Sequence, residues 1–317
     1  MSLTQQSQSS IAEEGLTIID SHIHFFSYRF FEEYTRSRGE GLPAHDPTAL
    51  LRQLGWEVPP KDPVALGRRW AEELDKHGVA KAVLLTSSVE DKESVAAAVR
   101  ACPDRFVGYV RIDPAKPDAA AKLRRAVKEL GLRGVGELFP SMEHFHASDE
   151  QVYPVYEEAQ ALGVPVLLHF GILQSAVRNA LGLPSRADMR FANPADLQRA
   201  ARDFPKVNFI IPHFGAGYFR EALMVCYHCP NVYLDTSGSN AWIKFAGSTL
   251  DLRTVFRLAL DAAGPARIIF GTDSTHFPRG LREDVLSAQL MILRDLEIPP
   301  EDIQRIMARN IATLVGL

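Results

Sequence analysis

From residue 16 onward the chain alternates short apolar, β-branched runs with longer stretches of helical character. Eight runs read as strands: TIIDSHIH (17–24), AVLLTS (82–87), FVGYVRI (106–112), GVGELF (134–139), PVLLHFG (165–171), VNFIIPHF (207–214), NVYLDTS (231–237) and ARIIFGTD (266–273). Most are nearly unbroken in apolar character, as parallel strands covered on both faces require. Helical stretches lie between them, among them RRWAEELDKHG (68–78), ESVAAAVRA (93–101), AAAKLRRAVKELG (119–131) and VYPVYEEAQALG (152–163). Three strands are entered through the same punctuation, a proline and a polar residue closing the preceding helix, at 102, 204 and 229. Eight strands alternating with helices predict an α/β fold of the (β/α)8 TIM-barrel type. A doubly wound sheet would carry a glycine fingerprint after its first strand, where this chain has SHIHFF.

The same pattern divides the chain. Residues 1–15 are polar and read as a flexible tail, and 16–317 as a single barrel domain. The stretch 26–66, with its charges, glycine and several prolines, is expected to be an insertion in the first βα loop that caps the barrel mouth. The closing PPEDIQRIMARNIATLVGL predicts an amphipathic helix with Ile303, Ile306, Met307, Ile311, Leu314 and Val315 on one side, packed on the outside of the barrel.

Composition narrows the function classes. The 317 residues are 46% hydrophobic and 23% charged, with 35 basic against 39 acidic side chains and a net charge of −4. That balance offers no electrostatic reason to expect nucleic acid or an anionic membrane as a partner. No apolar run approaches the roughly 20 residues of a membrane span, and the first 15 residues lack the features of a secretory signal. Cys102, Cys226 and Cys229 are too few and too uneven for a disulfide framework, consistent with a cytoplasmic protein. The expected partner is a small-molecule substrate, and a homodimer is left open.

In a barrel the active site lies at the carboxyl ends of the strands. His22 and His24 end strand one and share one face of it. Glu137 lies near the end of strand four, His169 ends strand five, His213 strand six and Asp273 strand eight. Each has a bland reading: paired core histidines at 22 and 24, satisfied core histidines at 169 and 213, a helix cap at 273. Glu137 resists one, because a carboxylate on a buried strand is costly unless a cation or hydrogen-bond donors satisfy it. Together the six residues supply nitrogen and oxygen donors suited to a divalent metal, with zinc the leading expectation and manganese or iron as alternatives, as one or two ions.

Other polar residues carry weaker signals. The Cys-x-x-Cys of CYHCP (226–230) has no second cysteine pair and reads as structural. His144 and His146 follow Pro140 in a loop, as substrate contacts or simply solvated side chains. Arg111, near the end of strand three, is a candidate substrate-binding residue able to grip a carboxylate with a bidentate fork. Arg29 and Arg186, in loops, share that chemistry; an ion-paired surface arginine is the alternative for all three.

The Asp-x-His-x-His of strand one, the histidines ending strands five and six, and the Gly-Thr-Asp of strand eight resemble the amidohydrolase superfamily. PHFGAGYFREAL, and the terminal helix with Asn310, are similar to its amidohydrolase-2 group, which includes aminocarboxymuconate-semialdehyde decarboxylase and 2-pyrone-4,6-dicarboxylate lactonase. The resemblance runs from about residue 16 to the C-terminus. It implies that His22, His24, His169 and Asp273 are metal ligands, that Asp273 also takes a proton from water, and that His213 binds a second metal, polarises substrate or handles protons. Glu137 in GVGEL departs from the decarboxylases and resembles the bridging glutamate of TatD-type hydrolases. The expectation is therefore a metal-dependent hydrolase of an amide, ester or lactone bond in a small molecule, with a carboxylate on it left open and with catalytic roles for Asp273 and His213. The alternatives are a non-oxidative decarboxylase of an aromatic or dienoic acid, and a barrel that has lost its chemistry and serves as a scaffold.

Overall fold

The computed structural model describes residues 15–37, 42, 46–173, 175–247 and 249–317. All eight expected strands form: β1 Ile19–Phe25, β2 Lys81–Thr86, β3 Phe106–Tyr109, β4 Val135–Leu138, β5 Val166–Leu168, β6 Phe209–Ile211, β7 Val232–Asp235 and β8 Ile268–Ile269. They pair in parallel as β1-β2-β3 and β4-β5-β6-β7-β8. Backbone hydrogen bonds join the two sheets at both seams. Val110 N donates to Gly134 O (2.9 Å) and Gly136 N to Val110 O (2.8 Å). On the other side, Ser21 N donates to Phe270 O (3.0 Å), Asp273 N to His22 O (2.9 Å) and His24 N to Ser274 O (2.8 Å). The strands therefore run in chain order around a (β/α)8 barrel. Most are shorter than the apolar runs suggest, because the residues at their carboxyl ends leave the ladder to build loops.

Alternation along the strands separates two cores. Val83 and Leu85 of β2, Leu167 of β5 and Ile210 of β6 join Ile19, Val107, Tyr109 and Ile269 in an inner cluster. Their neighbours Ala82, Leu84, Val166, Leu168, Phe209 and Ile211 belong to the outer cluster under the helices. Two irregularities break this parity. Between Asp20 and Ile23, β1 advances three residues while β2 advances two, and β4 does the same against β5 between Val135 and Leu138. Each extra residue re-aims the side chains after it. Ile19 thereby shares the interior with His22 and His24, and Glu137 points inward between outward-facing Val135 and Leu138.

The insertion after β1 contains the helices Tyr28–Ser37 and Pro47–Leu54. Phe30, Phe31, Tyr34, Leu50 and Leu51 form its own cluster, to which the loop after β5 adds Val177. Ser27 anchors it: its hydroxyl accepts from Phe30 N (3.0 Å) and donates to the buried Asp91 carboxylate (2.5 Å). Residues 38–41 and 43–45 of this stretch, and residues 1–14 of the expected tail, lie outside the described residues. No helix among the described residues is long and apolar enough to cross a membrane.

The C-terminal segment departs from expectation in part. The expected helix forms without a break, as Pro300–Gln304, a π-helical turn Arg305–Arg309 and Asn310–Val315, but it does not lie wholly on the outer wall. Ile303, Ile306 and Met307 join the outer cluster, whereas Ala308, Ile311, Leu314 and Val315 join the inner one. The wider π turn rotates the apolar stripe, so the second half covers the amino end of the barrel, where interior side chains would otherwise meet water. Asn310 fastens it there, donating from Nδ2 to Pro265 O (2.8 Å) and Ile268 O (2.7 Å). Asn310→Ala is expected to lower unfolding stability by about 1–3 kcal/mol, since two carbonyls lose their donor. Urea denaturation followed by circular dichroism measures this, and an unchanged midpoint would contradict the assigned role.

Candidate metal centre and substrate cavity

At the carboxyl ends of the strands the barrel opens into a cavity of about 350 Å³, within the size range of small-molecule sites. Its floor is built by the residues at the strand ends. His22 Nε2 lies 3.8 Å and His24 Nε2 3.5 Å from Glu137 Oε2, and His213 Nε2 lies 3.7 Å from Glu137 Oε1. His24 Nε2 is also 3.5 Å from Asp273 Oδ1. Exposure rises outward, from 0% and 2% for the His22 and Glu137 side chains to 33% for Asp273.

Two groups have ligand-capable atoms within 4.8 Å of one another: His22, Glu137 and His213; and His22, His24 and Asp273. His22 belongs to both. His169 stands outside these triplets, beside His213 with ring centroids 5.1 Å apart and against the Phe139 ring at 5.5 Å. All six expected residues line the cavity or its floor.

The imidazoles are held from behind. His22 Nδ1 lies 2.8 Å from Asp235 Oδ2, and His213 Nδ1 lies 3.0 Å from the Ser237 carbonyl. Both partners only accept, so each Nδ1 donates and each Nε2 faces Glu137. Asp235 and Ser237 lie at the end of β7, which supplies no residue to the expected set. The strand-end criterion picks out Asp235 in VYLDTS; its neighbours Thr236 and Ser237 give the segment the look of ordinary turn chemistry. Gly238 follows at φ +80°, and a Cβ there would stand 3.2 Å from His213 Nδ1 and 3.5 Å from Asp273 Oδ2. On β4, Gly136 at φ +136° has no room for one against Leu167 O at 2.6 Å.

Electrostatics divides the cluster. Burial holds His24 and His169 neutral, lowering each to about 4 against the pull of Glu137. Burial also opposes charge on His22, but Asp235 and Glu137 outweigh it and raise the imidazole to about 10. For His213 the neighbouring Glu137 and Asp273 likewise overcome burial and raise it. Burial opposes charge on Glu137, yet the surrounding histidines keep it ionised, well below the usual carboxylate range.

The donor set fits a divalent cation. His22 Nε2, Glu137 Oε1 and His169 Nδ1 are buried without a hydrogen-bond partner among the described residues. Nitrogen and carboxylate oxygen donors converging in this way suit zinc, manganese or iron.

The walls come from loops. Phe26, Phe30 and Tyr34 of the insertion contribute, as do Phe139 and Met142, Ile172 and Leu173, the stretch from Ser175 to Arg186 in part, residues 237–242 and Phe245. Five arginines line them: Arg111, Arg178, Arg186, Arg279 and Arg282. Arg111 is buried, with Nη1 on Ser87 O (3.0 Å), Nη2 on Glu143 Oε1 (2.8 Å) and its plane over the Phe139 ring. Arg29 is turned away, pairing with Glu33 and Glu93 outside the cavity. His144 and His146 do not line it either; His146 Nδ1 meets Asp196 at 2.5 Å. Cys226, on the buried face of the helix Phe219–His228, and Cys229, at its C-cap, are buried free thiols.

Because Asp235 orients His22, Asp235→Ala is expected to weaken manganese or zinc binding by about 10–100-fold. Competitive titration against a chromogenic chelator reads this, with circular dichroism reporting the fold; wild-type affinity in a folded variant would contradict it.

Comparison with known proteins agrees with the geometry. Among curated relatives, 2-keto-4-carboxy-3-hexenedioate hydratase of Sphingobium is 33% identical over 131 residues, 38% of this chain and 38% of the relative. Protein fluG of Emericella nidulans is 30% identical over 87 residues, 27% of this chain and 10% of the relative. The chain thus spans well under half the length of these relatives. Solved structures match over nearly the whole chain. An uncharacterised TIM-barrel protein of Bordetella bronchiseptica aligns at TM-score 0.64 and 24% identity, covering 95% of this chain and 99% of its own. The 5-carboxyvanillate decarboxylase of Novosphingobium aromaticivorans, complexed with manganese, aligns at 0.66 and 15%, covering 96% and 97%. A probable 2-pyrone-4,6-dicarboxylic acid hydrolase of Acinetobacter baumannii aligns at 0.64 and 17%, covering 95% and 100%. An amidohydrolase of Burkholderia multivorans with bound zinc aligns at 0.62 and 16%, covering 95% and 99%. At these identities the structures speak for the fold; a family model described as amidohydrolase matches residues 19–317, and the chain belongs to that amidohydrolase family.

Proposed function

We propose that the protein is a metal-dependent hydrolase that cleaves an amide, ester or lactone bond in a small carboxylated molecule. The observation that carries this reading is the convergence of four histidines and two carboxylates, three of their polar atoms buried and unpartnered among the described residues, at the floor of an arginine-lined cavity. In the proposal His22, His24, Glu137, His169 and Asp273 would hold the cation, and His213 beside them is kept for the oxyanion. A divalent cation so held lowers the pKa of water to about 7 and polarises the bond under attack.

The chain's own groups do the rest. Asp273 is the most exposed member of the cluster, at the rim where water and substrate meet. It accepts the proton of the attacking water and returns it to the leaving group. His213, raised above its ordinary pKa and braced on Ser237 O, presents Nε2 to the cavity and donates to the developing oxyanion. The positive field of the arginine-lined walls draws the substrate's carboxylate into the cavity.

The second reading is non-oxidative decarboxylation, in which His213 or Asp273 protonates carbon. The fold shared with the manganese-bound 5-carboxyvanillate decarboxylase supports it, and the same positive walls would suit its acid substrate. Protein reconstituted with manganese or zinc, offered 2-pyrone-4,6-dicarboxylate, 5-carboxyvanillate and 2-keto-4-carboxy-3-hexenedioate, separates the readings. Ring opening of the lactone is expected to be fastest; faster release of carbon dioxide or hydration of the hexenedioate would displace hydrolysis. Chelation should abolish turnover, and Asp273→Asn should cost about 10²–10⁴-fold in kcat while the metal content of the variant is checked by elemental analysis. Undiminished turnover in metal-free protein would refute the proposal.

A further inference from the structure

Arg178 is a buried cation with no counter-ion among the described residues. It sits in the helix Ala176–Ala180 after β5, is 7% exposed and lines the cavity. The loop closes around it: Leu183 N donates to Arg178 O (2.8 Å), and Arg178 Nε donates to Pro184 O (2.8 Å). One edge of the guanidinium is thereby fixed. Nη1 is buried without a hydrogen-bond partner, and Arg178 makes no ion pair with a carboxylate among the described residues. Arg111 and Arg282, in the same walls, are already engaged by Glu143 at 2.8 Å and Asp284 at 2.6 Å.

A guanidinium cannot shed its charge by losing a proton. Burying it unpaired is costly, and a loop that pins its Nε edge while leaving Nη1 unused holds it in readiness for an anion. The planar fork of a guanidinium matches the two oxygens of a carboxylate. Resting on the function proposed above, we infer that Arg178 anchors a substrate carboxylate separate from the reacting group. The substrate is therefore a small acid carrying a carboxylate in addition to the bond or group that meets the cluster.

Titration calorimetry of the whole protein with benzene-1,3-dicarboxylate and with benzoate, each with and without saturating manganese, tests this. Wild type is expected to bind the dicarboxylate at least about tenfold more tightly than benzoate. Arg178→Met should bring that ratio to within about threefold with benzoate affinity nearly unchanged, and Arg178→Lys should restore only part of it, because an ammonium lacks the fork. Arg282→Met, which removes a paired arginine from the same wall, should keep the wild-type ratio and so separates a local contact from the general positive field. In thermal denaturation Arg178→Met should melt no lower than wild type without ligand, and the dicarboxylate should stabilise the wild type more than the variant. The inference is overturned if Arg178→Met keeps the wild-type ratio, if it weakens both ligands alike, or if inorganic phosphate binds more tightly than the dicarboxylate. Failure to take up manganese, with the Arg178-dependent preference intact, would refute the proposed metal chemistry and leave the anchor standing.

Discussion

The arrangement depends on one buried charge. Glu137 projects from β4 into the barrel with its side chain 2% exposed, and an ionised carboxylate there is tenable only against positive or hydrogen-donating neighbours. Imidazoles from β1 and from the end of β6 supply them at 3.5–3.8 Å. Those imidazoles in turn need their outer nitrogens satisfied, and Asp235 and Ser237 of the β7 end do so for His22 and His213. The irregularities in β1 and β4 arise from the same demand, because without the extra residue in each strand the histidine pair or Glu137 would face the helices. Four strands are thus committed to keeping one carboxylate ionised.

The loops beyond β6 and β8 bear a related strain. His213 and Asp273 both adopt left-handed backbone conformations, at φ 56° and 59°, which cost roughly 1–3 kcal/mol each for residues with a side chain. The surroundings hold them there. Asp273 N is bonded to His22 O, His213 Nδ1 to Ser237 O, and the bare backbone of Gly238 lies against both side chains. The two residues proposed for proton handling are fixed by contacts with the backbone of neighbouring strands, which limits the reorganisation needed during reaction.

How far this was legible in the sequence depends on which physical signals are local. All eight strands were visible because a strand covered on both faces is apolar throughout, and the floor residues were visible because polar side chains interrupt those runs at their ends. The irregularities were not, since alternation read from sequence carries no mark of an inserted residue; the shared face of His22 and His24 survived because it falls after the insertion in β1. Asp235 escaped because an aspartate before threonine and serine looks like a turn. The terminal helix is legible, but the turn of its second half towards the barrel interior is not, because a π turn has no compositional signature and the stripe from Ile303 to Val315 is continuous in sequence while divided in space. Arg178 resembles any loop arginine until the fold shows that the chain closes over it with no carboxylate among the described residues to pair it.

Floor and walls also oppose one another electrically. Five arginines in the walls make the cavity attractive to acids and, by the same field, unfavourable to a metal cation. Neutral imidazoles alone would have to overcome that field. Glu137 and Asp273 in the cluster, with Asp235 behind His22, offset it locally, while the pairings of Arg111 with Glu143 and Arg282 with Asp284 confine part of the positive charge to the walls. Under the function proposed above, Glu137 would serve the same end whether one ion or two are bound: it would supply the negative charge that lets a cation and an anionic substrate occupy the same small space.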